Sequence, residues 1–417
     1  MLASRSTATL KCRFCEEPLT NVLADLGMSP LSNRYLSREQ LDAMEPFYPL
    51  RACVCSRCFL VQLPEVQRPD EIFGDYAYFS SYSESWLGHA SNFADSMTAR
   101  LALDSSSRVV EIASNDGYLL QYFKAKGIPV LGVEPAANVA RAAQENGIPT
   151  VVEFFGTATA RKLAREGQQA DLLVGNNVLA HVPDLNDFVA GLRVLLKPCG
   201  VLTMEFPHLL QLMRQNQFDT IYHEHFSYFS FLTVQQVFRR HGIAIYDVEQ
   251  LPTHGGSLRI YGRHLDHGGC SESDRVADLI EVERQAGLDT LEAYNAFEQN
   301  VRETKRRLLA FLIDAKDRGK SIVGYGAPAK GNTLLNYCGV RSDFLDYTVD
   351  RSPHKQGLFL PGTRIPIYNP AMICETKPDY VLILPWNLRD EIVAQMGHIR
   401  EWGGRFVVPI PDVEVIP

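Results

Sequence analysis

The segment Ile221–Phe229 holds the densest group of side chains that could move a proton, Tyr222, His223, Glu224 and His225. A helix would put Tyr222 and His225 on one face because residues three apart are neighbours. A strand would instead put His223 and His225 on one face. In either case a histidine beside a carboxylate is a candidate general base near neutral pH. A His-x-His pair also suits a metal ion, but no third ligand of matching spacing is evident.

A strand, a turn of small residues and an amphipathic helix follow one another from Arg108 onwards. Glu111 lies near the strand end, Gly117 allows a ligand to approach the helix start, and Glu134 ends the next strand, 17 residues later. A carboxylate at that place commonly binds ribose hydroxyls. The pattern predicts a dinucleotide site or an S-adenosylmethionine site, with a plain structural turn as the alternative.

A third strand, 171–174, is followed by Asn176, Asn177 and His181. In open parallel sheets, ligands bind beyond the carboxyl ends of the strands, so these polar side chains are candidates for the same site. His181 alone is equally consistent with an ordinary surface or core histidine.

A glycine-rich loop, 324–332, follows a strand at 321–323 and opens a helix predicted to begin at about Asn332. Its backbone amides and Lys330 suit a diphosphate. The loop matches neither the dinucleotide fingerprint nor the P-loop, and a structural turn is the alternative. The run 350–357 after the next strand adds further donors.

Four of the nine cysteines form two Cys-x-x-Cys pairs, Cys12 with Cys15 and Cys55 with Cys58. Two such pairs complete the tetrahedral four-sulfur shell of structural zinc and leave no open position for a substrate. A redox dithiol is disfavoured because neither pair opens a helix in a thioredoxin-like unit. Cys53 lies just outside the second pair and is interpreted as a bystander.

The chain that must position these groups has 417 residues, of which 46% are hydrophobic and 22% charged, so a disordered or fibrous protein is excluded. Its net charge is −8 with no basic run, which argues against a nucleic-acid partner. No run of 18 apolar residues predicts a membrane span, and residues 1–11 lack the apolar region of a secretory signal. We therefore expect a cytoplasmic protein with reduced thiols.

Alternating strand and helix patterns predict an α/β fold with a parallel sheet covered on both faces. A polar helical run at 274–317 connects this unit to a second, smaller one. The expected domains are a zinc-binding domain at 1–75, a Rossmann-like domain with its helical connector at 76–304, and a smaller Rossmann-like α/β domain at 305–417.

Taken together, these blocks resemble the sugar C-methyltransferases that act on dTDP-linked 4-keto deoxysugars in antibiotic-sugar pathways, such as those for kijanose, tetronitrose and mycarose. The resemblance covers essentially the whole chain. The spacing around Glu111 is similar to motif I of class I methyltransferases, although its three glycine slots hold Ala113, Asn115 and Gly117. The motifs that carry the resemblance are Cys12-x-x-Cys15, Val54-Cys-Ser-Arg-Cys-Phe-Leu-Val-Gln-Leu, Tyr78-Phe-Ser-Ser-Tyr-Ser, Glu111-Ile-Ala-Ser-Asn-Asp-Gly-Tyr, Gly132-Val-Glu-Pro, Asn176-Asn-Val-Leu-Ala-His-Val, Tyr222-His-Glu-His, His254-Gly-Gly-Ser and Gly324-Tyr-Gly-Ala-Pro-Ala-Lys-Gly-Asn.

The resemblance implies S-adenosylmethionine as methyl donor, a structural Zn²⁺ ion, and a C-terminal domain that helps to bind the nucleotide sugar. A monomer is expected. The residues it places around the sugar are Tyr76, His181, Tyr222, Glu224 and His225, with His225 as the favoured base. The donor-binding residues are Glu111, Ala113, Asn115, Gly117, Tyr118, Glu134, Pro135, Asn176 and Asn177. The other substrate-binding residues are Tyr78, Ser80, Tyr82, His254, Ser257, Lys330, Asn332, Ser352 and Lys355, and the zinc ligands are Cys12, Cys15, Cys55 and Cys58.

The expected reaction uses the acidity of a C–H bond next to the C4 ketone. His225 would remove that proton, Glu224 would orient or tune His225, and Tyr222, His181 or Tyr76 would hydrogen-bond the enolate oxygen. Methylation is expected at C3, with C5 as an alternative, and a 3-amino group on the sugar is left open. The rival readings are an NAD(P)-dependent nucleotide-sugar oxidoreductase, an O- or N-methyltransferase, and a non-catalytic zinc-ribbon binding module.

Overall fold

The computed structural model describes residues 10–67, 80–82, 84–266 and 271–417. Two cysteine turns open the chain and have the same geometry. The amide of Glu16 donates to the Cys12 carbonyl and that of Phe59 to the Cys55 carbonyl, and both residues have a positive φ. These turns flank antiparallel strands β1 (Asn21–Ser29), β2 (Tyr48–Val54) and β3 (Val61–Gln62).

The central segment alternates strands and helices, as its sequence predicts. Its strands are β4 (Val109–Ile112), β5 (Val130–Val133), β6 (Thr150–Val151), β7 (Ala170–Asn176), β8 (Leu196–Pro207), β9 (Ser227–Tyr228), β10 (Ile243–Leu251) and β11 (Ser257–His264). Its helices are α1 (Glu84–Leu101), α2 (Leu120–Ala125), α3 (Ala137–Glu145), α4 (Thr157–Arg165), α5 (Leu185–Leu195), α6 (Leu209–Arg214), α7 (Phe231–Arg240), α8 (Asp274–Gln285), α9 (Leu291–Asn295) and α10 (Phe297–Asp317).

Seven of these strands form one sheet in the order β10-β11-β8-β7-β4-β5-β6. The five strands from β4 to β8 are parallel, and the hairpin β10–β11 joins the β8 edge in antiparallel fashion. Strand order therefore reverses at β4, where the crevice for a ligand opens. The polar run predicted as one long connector consists of α8, α9 and α10.

The strands of the C-terminal segment are β12 (Ile322–Tyr325), β13 (Thr348–Val349), β14 (Ile367–Tyr368), β15 (Tyr380–Ile383), β16 (Arg405–Val408) and β17 (Glu414–Ile416). The helices of this segment are α11 (Ala329–Cys338), α12 (Met372–Thr376) and α13 (Arg389–Gln395). The strands form a third sheet, in the order β14-β13-β12-β15-β16-β17, with only the last pair antiparallel. Helix α11 begins at Ala329, three residues before the position expected from sequence.

The segments share their cores and are not separate bodies. Leu23 and Ala52 of the first sheet belong to the same apolar core as Leu334 of α11. In addition, β3 pairs in antiparallel fashion with β9, which follows directly on the Tyr222–His225 run. The α/β class and its three-part architecture are confirmed. Within the described part of the chain, no helix is long and apolar enough to cross a membrane.

Candidate active site

The four cysteines of the two pairs converge at one point, with all four sulfurs within 4.8 Å of one another. The Cys12 and Cys58 sulfurs lie 3.6 Å apart, and those of Cys15 and Cys55 lie 3.5 Å apart. A tetrahedron with Zn–S bonds of about 2.3 Å has edges of about 3.8 Å, so these sulfurs fit zinc. Cys53 is buried outside the cluster, in agreement with its assignment as a bystander.

The loop between β4 and α2 keeps the shape of a glycine loop without its glycines. Ala113 and Asn115 have φ values of 56° and 49°, and Gly117 has 81°. Asparagine tolerates this left-handed region better than most residues, whereas alanine adopts it at a cost of about 1 kcal/mol. A Cβ at Gly117 would also lie 2.9 Å from the Ile148 side chain. The loop therefore keeps a backbone conformation in which S-adenosylmethionine, when bound, could approach the backbone amides closely.

Glu134 fastens this loop from the end of β5. Its two carboxylate oxygens accept the backbone amides of Asn115 (3.0 Å) and Ala136 (2.9 Å). Burial raises its pKa. Pro135 stands between Glu134 and Ala136 in the same turn. Glu134 thus shapes the loop, and the binding of ribose hydroxyls by its remaining lone pairs stays a prediction.

A second polar group lies under the loop. Glu111 is fully buried, and burial raises its pKa well above the usual value while the Tyr118 hydroxyl opposes the shift. The Asn176 amide, at the end of β7, donates to the same hydroxyl over 3.4 Å. Glu111 of β4, Tyr118 in the turn before α2 and Asn176 at the end of β7, all predicted to bind S-adenosylmethionine, are therefore brought together at the carboxyl end of the sheet.

Trp86 of α1 covers this edge, and sequence reasoning did not find it. Its ring lies 5.9 Å from that of Tyr118, 4.9 Å from that of His89 and 5.3 Å from that of His254. A lone tryptophan in an amphipathic helix carries no sequence signal for a site. Its ring thus lies between Tyr118, next to the loop after β4, and His254, in the turn after β10.

His225 lies in a turn, because its amide donates to the Tyr222 carbonyl over 2.9 Å. This turn, neither helix nor strand, brings the rings of Tyr222 and His181 to 4.0 and 4.7 Å from that of His225. The His225 Nδ1–H donates to the Thr220 carbonyl over 2.9 Å. Burial and the neighbouring His181 hold its pKa well below the usual value, so the ring is neutral and Nε2 carries a lone pair.

The hydrogen bonds that the Glu224 and His223 side chains form do not involve the His225 ring. Glu224 is buried, both of its oxygens accept the Asn33 amide (2.7 and 2.9 Å), and burial raises its pKa to about 7. His223 donates through Nε2 to the Pro49 carbonyl over 3.3 Å. The atom that orients His225 is thus the Thr220 carbonyl, whereas the sequence suggested the Glu224 carboxylate. Among the described residues, the cysteine cluster is the group that could hold a metal, so the His-x-His metal hypothesis finds no support.

The turn after β10 contributes His254, whose φ is 55°. Its Nε2 accepts the Asn177 amide over 3.1 Å, and burial lowers its pKa to about 4. Ser257 is buried, and its hydroxyl donates to the Thr253 carbonyl over 3.0 Å. His254 therefore borders the same crevice, whereas the Ser257 hydroxyl stabilises the turn.

The C-terminal segment supplies a cation. Lys330, in the first turn of α11, donates to Asn387 over 2.8 Å, and its ammonium lies 4.3 Å from the centre of the Trp386 ring. Burial lowers the pKa of Lys330, and nearby Asp219 opposes that shift. The Trp386 indole N–H donates to Asp219 over 2.8 Å. Because Asp219 directly precedes Thr220, this cation lies close to the turn that orients His225.

Three further predicted substrate residues contact the protein itself. The Asn332 amide donates to the Ser32 carbonyl over 2.6 Å, and Lys355 donates to the Ala327 carbonyl over 2.9 Å. The Ser352 backbone amide donates to the Asp350 carboxylate over 2.8 Å. The first two side chains thus join segments of the chain in this structure.

Three of the predicted aromatic ligands cannot be placed. Tyr76 and Tyr78 lie outside the described residues, as does the side chain of Tyr82. Ser80 is placed, and its amide donates to the Asn115 side chain over 2.9 Å. This contact places Ser80 against the loop between β4 and α2.

Family models match consecutive parts of the chain. They describe a zinc binding domain (residues 12–73), a methyltransferase domain (86–248) and a C-methyltransferase C-terminal domain (252–411). The C-methyltransferase NovU of Streptomyces niveus is 35% identical over 408 residues, covering 97% of this chain and 96% of NovU. A ubiquinone biosynthesis O-methyltransferase of Chelativorans sp. (strain BNC1) is 22% identical and covers 34% of this chain and 64% of its own length. The PH0226 protein of Pyrococcus horikoshii OT3 covers 47% of this chain and 97% of its own at 16% identity, with a TM-score of 0.37.

The family models, the match to NovU and the cysteine cluster define a methyltransferase that uses S-adenosylmethionine and carries a zinc site. The chain belongs to the family of C-methyltransferases that includes NovU, as its motifs predict.

Proposed function

We propose that this C-methyltransferase acts on a dTDP-linked 4-keto deoxysugar in antibiotic-sugar biosynthesis. It would deprotonate the carbon next to the C4 ketone, at C3, and transfer the methyl group to that carbon. The observation that carries the proposal is the state of His225. Its Nδ1–H is committed to the Thr220 carbonyl, which leaves Nε2 as the nitrogen whose lone pair can accept the proton.

The neighbours of His225 suit the charge that forms. When the C–H bond breaks, its electrons pass to the ketone oxygen, and the enolate oxygen needs hydrogen-bond donors. The rings of Tyr222 and His181 lie beside that of His225, and we assign this role to the Tyr222 hydroxyl and the His181 ring, together with Tyr76. S-adenosylmethionine would supply an electrophilic methyl group, which the enolate carbon attacks. As the new C–C bond forms, the bond between the methyl carbon and the sulfur breaks, and the leaving group is S-adenosylhomocysteine.

We assign the nucleotide diphosphate to the C-terminal segment. Lys330 is a buried cation at the first turn of a helix of ten residues, and such a helix start favours anions. Zinc binding by residues 1–75, methyl transfer by 76–304 and nucleotide binding by 305–417 form the proposed division of labour. We further propose that the protein is cytoplasmic, since four thiolates that hold zinc must stay reduced. We also propose that it acts as a monomer.

A mass-spectrometric assay tests this function. The zinc-loaded protein would be mixed with S-adenosylmethionine and dTDP-linked 4-keto-6-deoxysugars, with and without a 3-amino group, in deuterated water. We expect a gain of one methylene mass on carbon, with deuterium entering the same carbon of unreacted sugar. Label at C5 would support methylation there instead. If the protein shows no methyl gain and no deuterium entry but binds a nicotinamide cofactor, the result would favour the oxidoreductase alternative.

A further inference from the structure

The side chain of Asn33, in the zinc-binding segment, contacts Glu224 in the Tyr222–His225 run of the central segment. Its amide nitrogen lies 2.7 Å from one carboxylate oxygen of Glu224 and 2.9 Å from the other. Glu224 is 4% exposed, so this contact is formed away from bulk water. A buried carboxylate is costly unless a donor compensates it. Asn33 is the donor that the described structure provides for this carboxylate.

The loop that carries Asn33 is fastened on both sides to the C-terminal segment. On one side, the Ser32 carbonyl accepts the Asn332 amide over 2.6 Å. On the other, the Tyr35 hydroxyl donates to the Ala327 carbonyl over 2.6 Å, and the Lys355 ammonium lies 5.3 Å from the Tyr35 ring centre. Asn33 therefore has little freedom to leave Glu224.

The backbone next to Tyr35 adds to this attachment. The Leu36 amide donates to the Phe359 carbonyl over 3.0 Å, and the Phe359 amide donates back over 2.9 Å. This two-way bridge belongs to the same C-terminal segment that holds Lys330 and the glycine-rich loop. Three parts of the chain thus meet at one carboxylate.

Few ionisable groups face Glu224. Its charge acts on the Tyr35 hydroxyl, and the His181 ring bonds to the Glu224 backbone. Neither is a cation that would hold the carboxylate in place. The neutral amide of Asn33 fixes its position and leaves the carboxyl able to take up or release a proton, since the pKa of Glu224 is about 7.

We propose that Asn33 is a positioning residue of the active site, through which the zinc-binding segment holds Glu224 in its catalytic geometry. The proposal rests on the proposed function, to which we add that Glu224 borders the sugar, as the resemblance to the sugar C-methyltransferases implies.

The first experiment needs no substrate. The carboxyl group of Glu224 is titrated by difference infrared spectroscopy of the zinc-loaded full chain, and the band is identified by its loss in Glu224→Gln. The Asn33 hydrogen bond lowers the pKa of Glu224, so we expect Asn33→Leu to move the titration to higher pH. Asn33→Asp keeps the size but adds a like charge, and should move it further. An unchanged titration in both variants overturns the proposal.

A double-mutant cycle tests the catalytic part. We expect Asn33→Leu to slow deuterium entry into a dTDP-linked 4-keto-6-deoxysugar at least tenfold, mainly through kcat. In a Glu224→Ala background, the same change should cost less than twofold, because Asn33 acts through Glu224. Full additivity of the two losses overturns the proposal. If the wild-type protein shows neither deuterium entry nor methyl gain, the proposed function is refuted. The infrared titration of Glu224 then still tests the contact with Asn33.

The matched control is Glu45→Ala. It removes the acceptor of the Gly362 amide (2.7 Å), another contact between the zinc-binding and C-terminal segments, and keeps the Asn33 amide. We expect the titration of Glu224 to stay at its wild-type position in this variant. An equal shift in Glu45→Ala and Asn33→Leu would mean that loosening between the segments, and not the amide, is responsible.

Discussion

The His225 ring and the Thr220 backbone carbonyl are joined by a hydrogen bond of 2.9 Å between Nδ1 and O. A carbonyl can only accept, so this bond fixes the proton on Nδ1 and leaves Nε2 as the basic nitrogen. Thr220 is the last residue of a short helical turn, Phe218–Thr220. Within this turn, the Asp219 carboxylate accepts a hydrogen bond from the Trp386 indole of the C-terminal segment. The tautomer of the proposed base is thus set by backbone that two segments hold in place.

Replacement of that base is the most direct test of its role. We expect His225→Asn to lower kcat about 10²–10⁴-fold, and to lower deuterium entry in the same proportion, because both need the proton removed. Rates would be measured by mass spectrometry, with His398→Asn on the C-terminal segment as the control. A loss of less than about tenfold would place the base elsewhere.

The raised pKa of Glu224 predicts a pH-dependent effect on stability. The unfolded chain releases this proton at about pH 4.5 and the folded chain at about pH 7, so ionisation costs stability as pH rises between these values. We expect Glu224→Gln to gain stability relative to wild type by about 1–3 kcal/mol at pH 8, and to gain little at pH 4.5. Urea unfolding at the two pH values measures the difference, and an equal effect at both contradicts the assignment.

Removal of zinc should disturb catalysis as well as the zinc-binding segment. Arg13, between the first two cysteines, donates to the carbonyls of Leu63 (2.5 Å) and Pro183 (2.9 Å), and its guanidinium lies 5.4 Å from the Phe226 ring centre. Pro183 follows His181 by two residues, and Phe226 directly follows His225. We expect chelation to abolish deuterium entry along with methyl transfer. Full deuterium entry in protein shown to be metal-free by elemental analysis would argue against this link.

Gly117 tests the donor loop. An alanine there is strained by the positive φ and would also contact Ile148 at 2.9 Å, so we expect Gly117→Ala to weaken S-adenosylmethionine binding at least tenfold in calorimetry. Gly127→Ala is the matched control, since Gly127 has a φ of 74° but nothing within 4 Å of the added Cβ. It should cost about 1 kcal/mol of stability and leave binding unchanged. An equal loss of S-adenosylmethionine affinity in both variants would show that the geometry of the loop at Gly117 is not the cause.

A buried pair between the central sheet and its connector predicts a purely structural effect. The Glu283 carboxylate accepts His208 Nε2 over 2.6 Å and also the amides of Phe231 and Leu232 at the start of α7. We expect Glu283→Ala to cost about 3–5 kcal/mol of unfolding free energy, because it strands a buried histidine and two amides. Glu283→Gln keeps acceptor capacity and should cost less. Urea unfolding of both variants distinguishes them, and a loss below about 1 kcal/mol for the alanine variant would contradict this reading.

Local patterns predicted the zinc cluster and the parallel sheets well. The paired cysteines and the strand that ends at Glu134 depend on short spacings that the sequence displays directly. Asn33 could not be found in this way, since it lies 191 residues from Glu224 and its partner is chosen by the packing of three segments. Thr220 was missed because its contribution is a backbone carbonyl, which has no sequence signal. His223 shared a motif with His225, but the turn between them directs it to Pro49 instead.

The pairing of β3 with β9 limits how the chain can be divided. A fragment beginning at α1 would keep the central sheet, but it would leave Ser227 and Tyr228 as an open strand edge. It would also uncover Phe218 and Ile221, which share a core with β1 and β2. Such a fragment would be prone to aggregate, and a circular permutant that preserves all three parts would be the better reagent for separating the contributions of the zinc-binding segment.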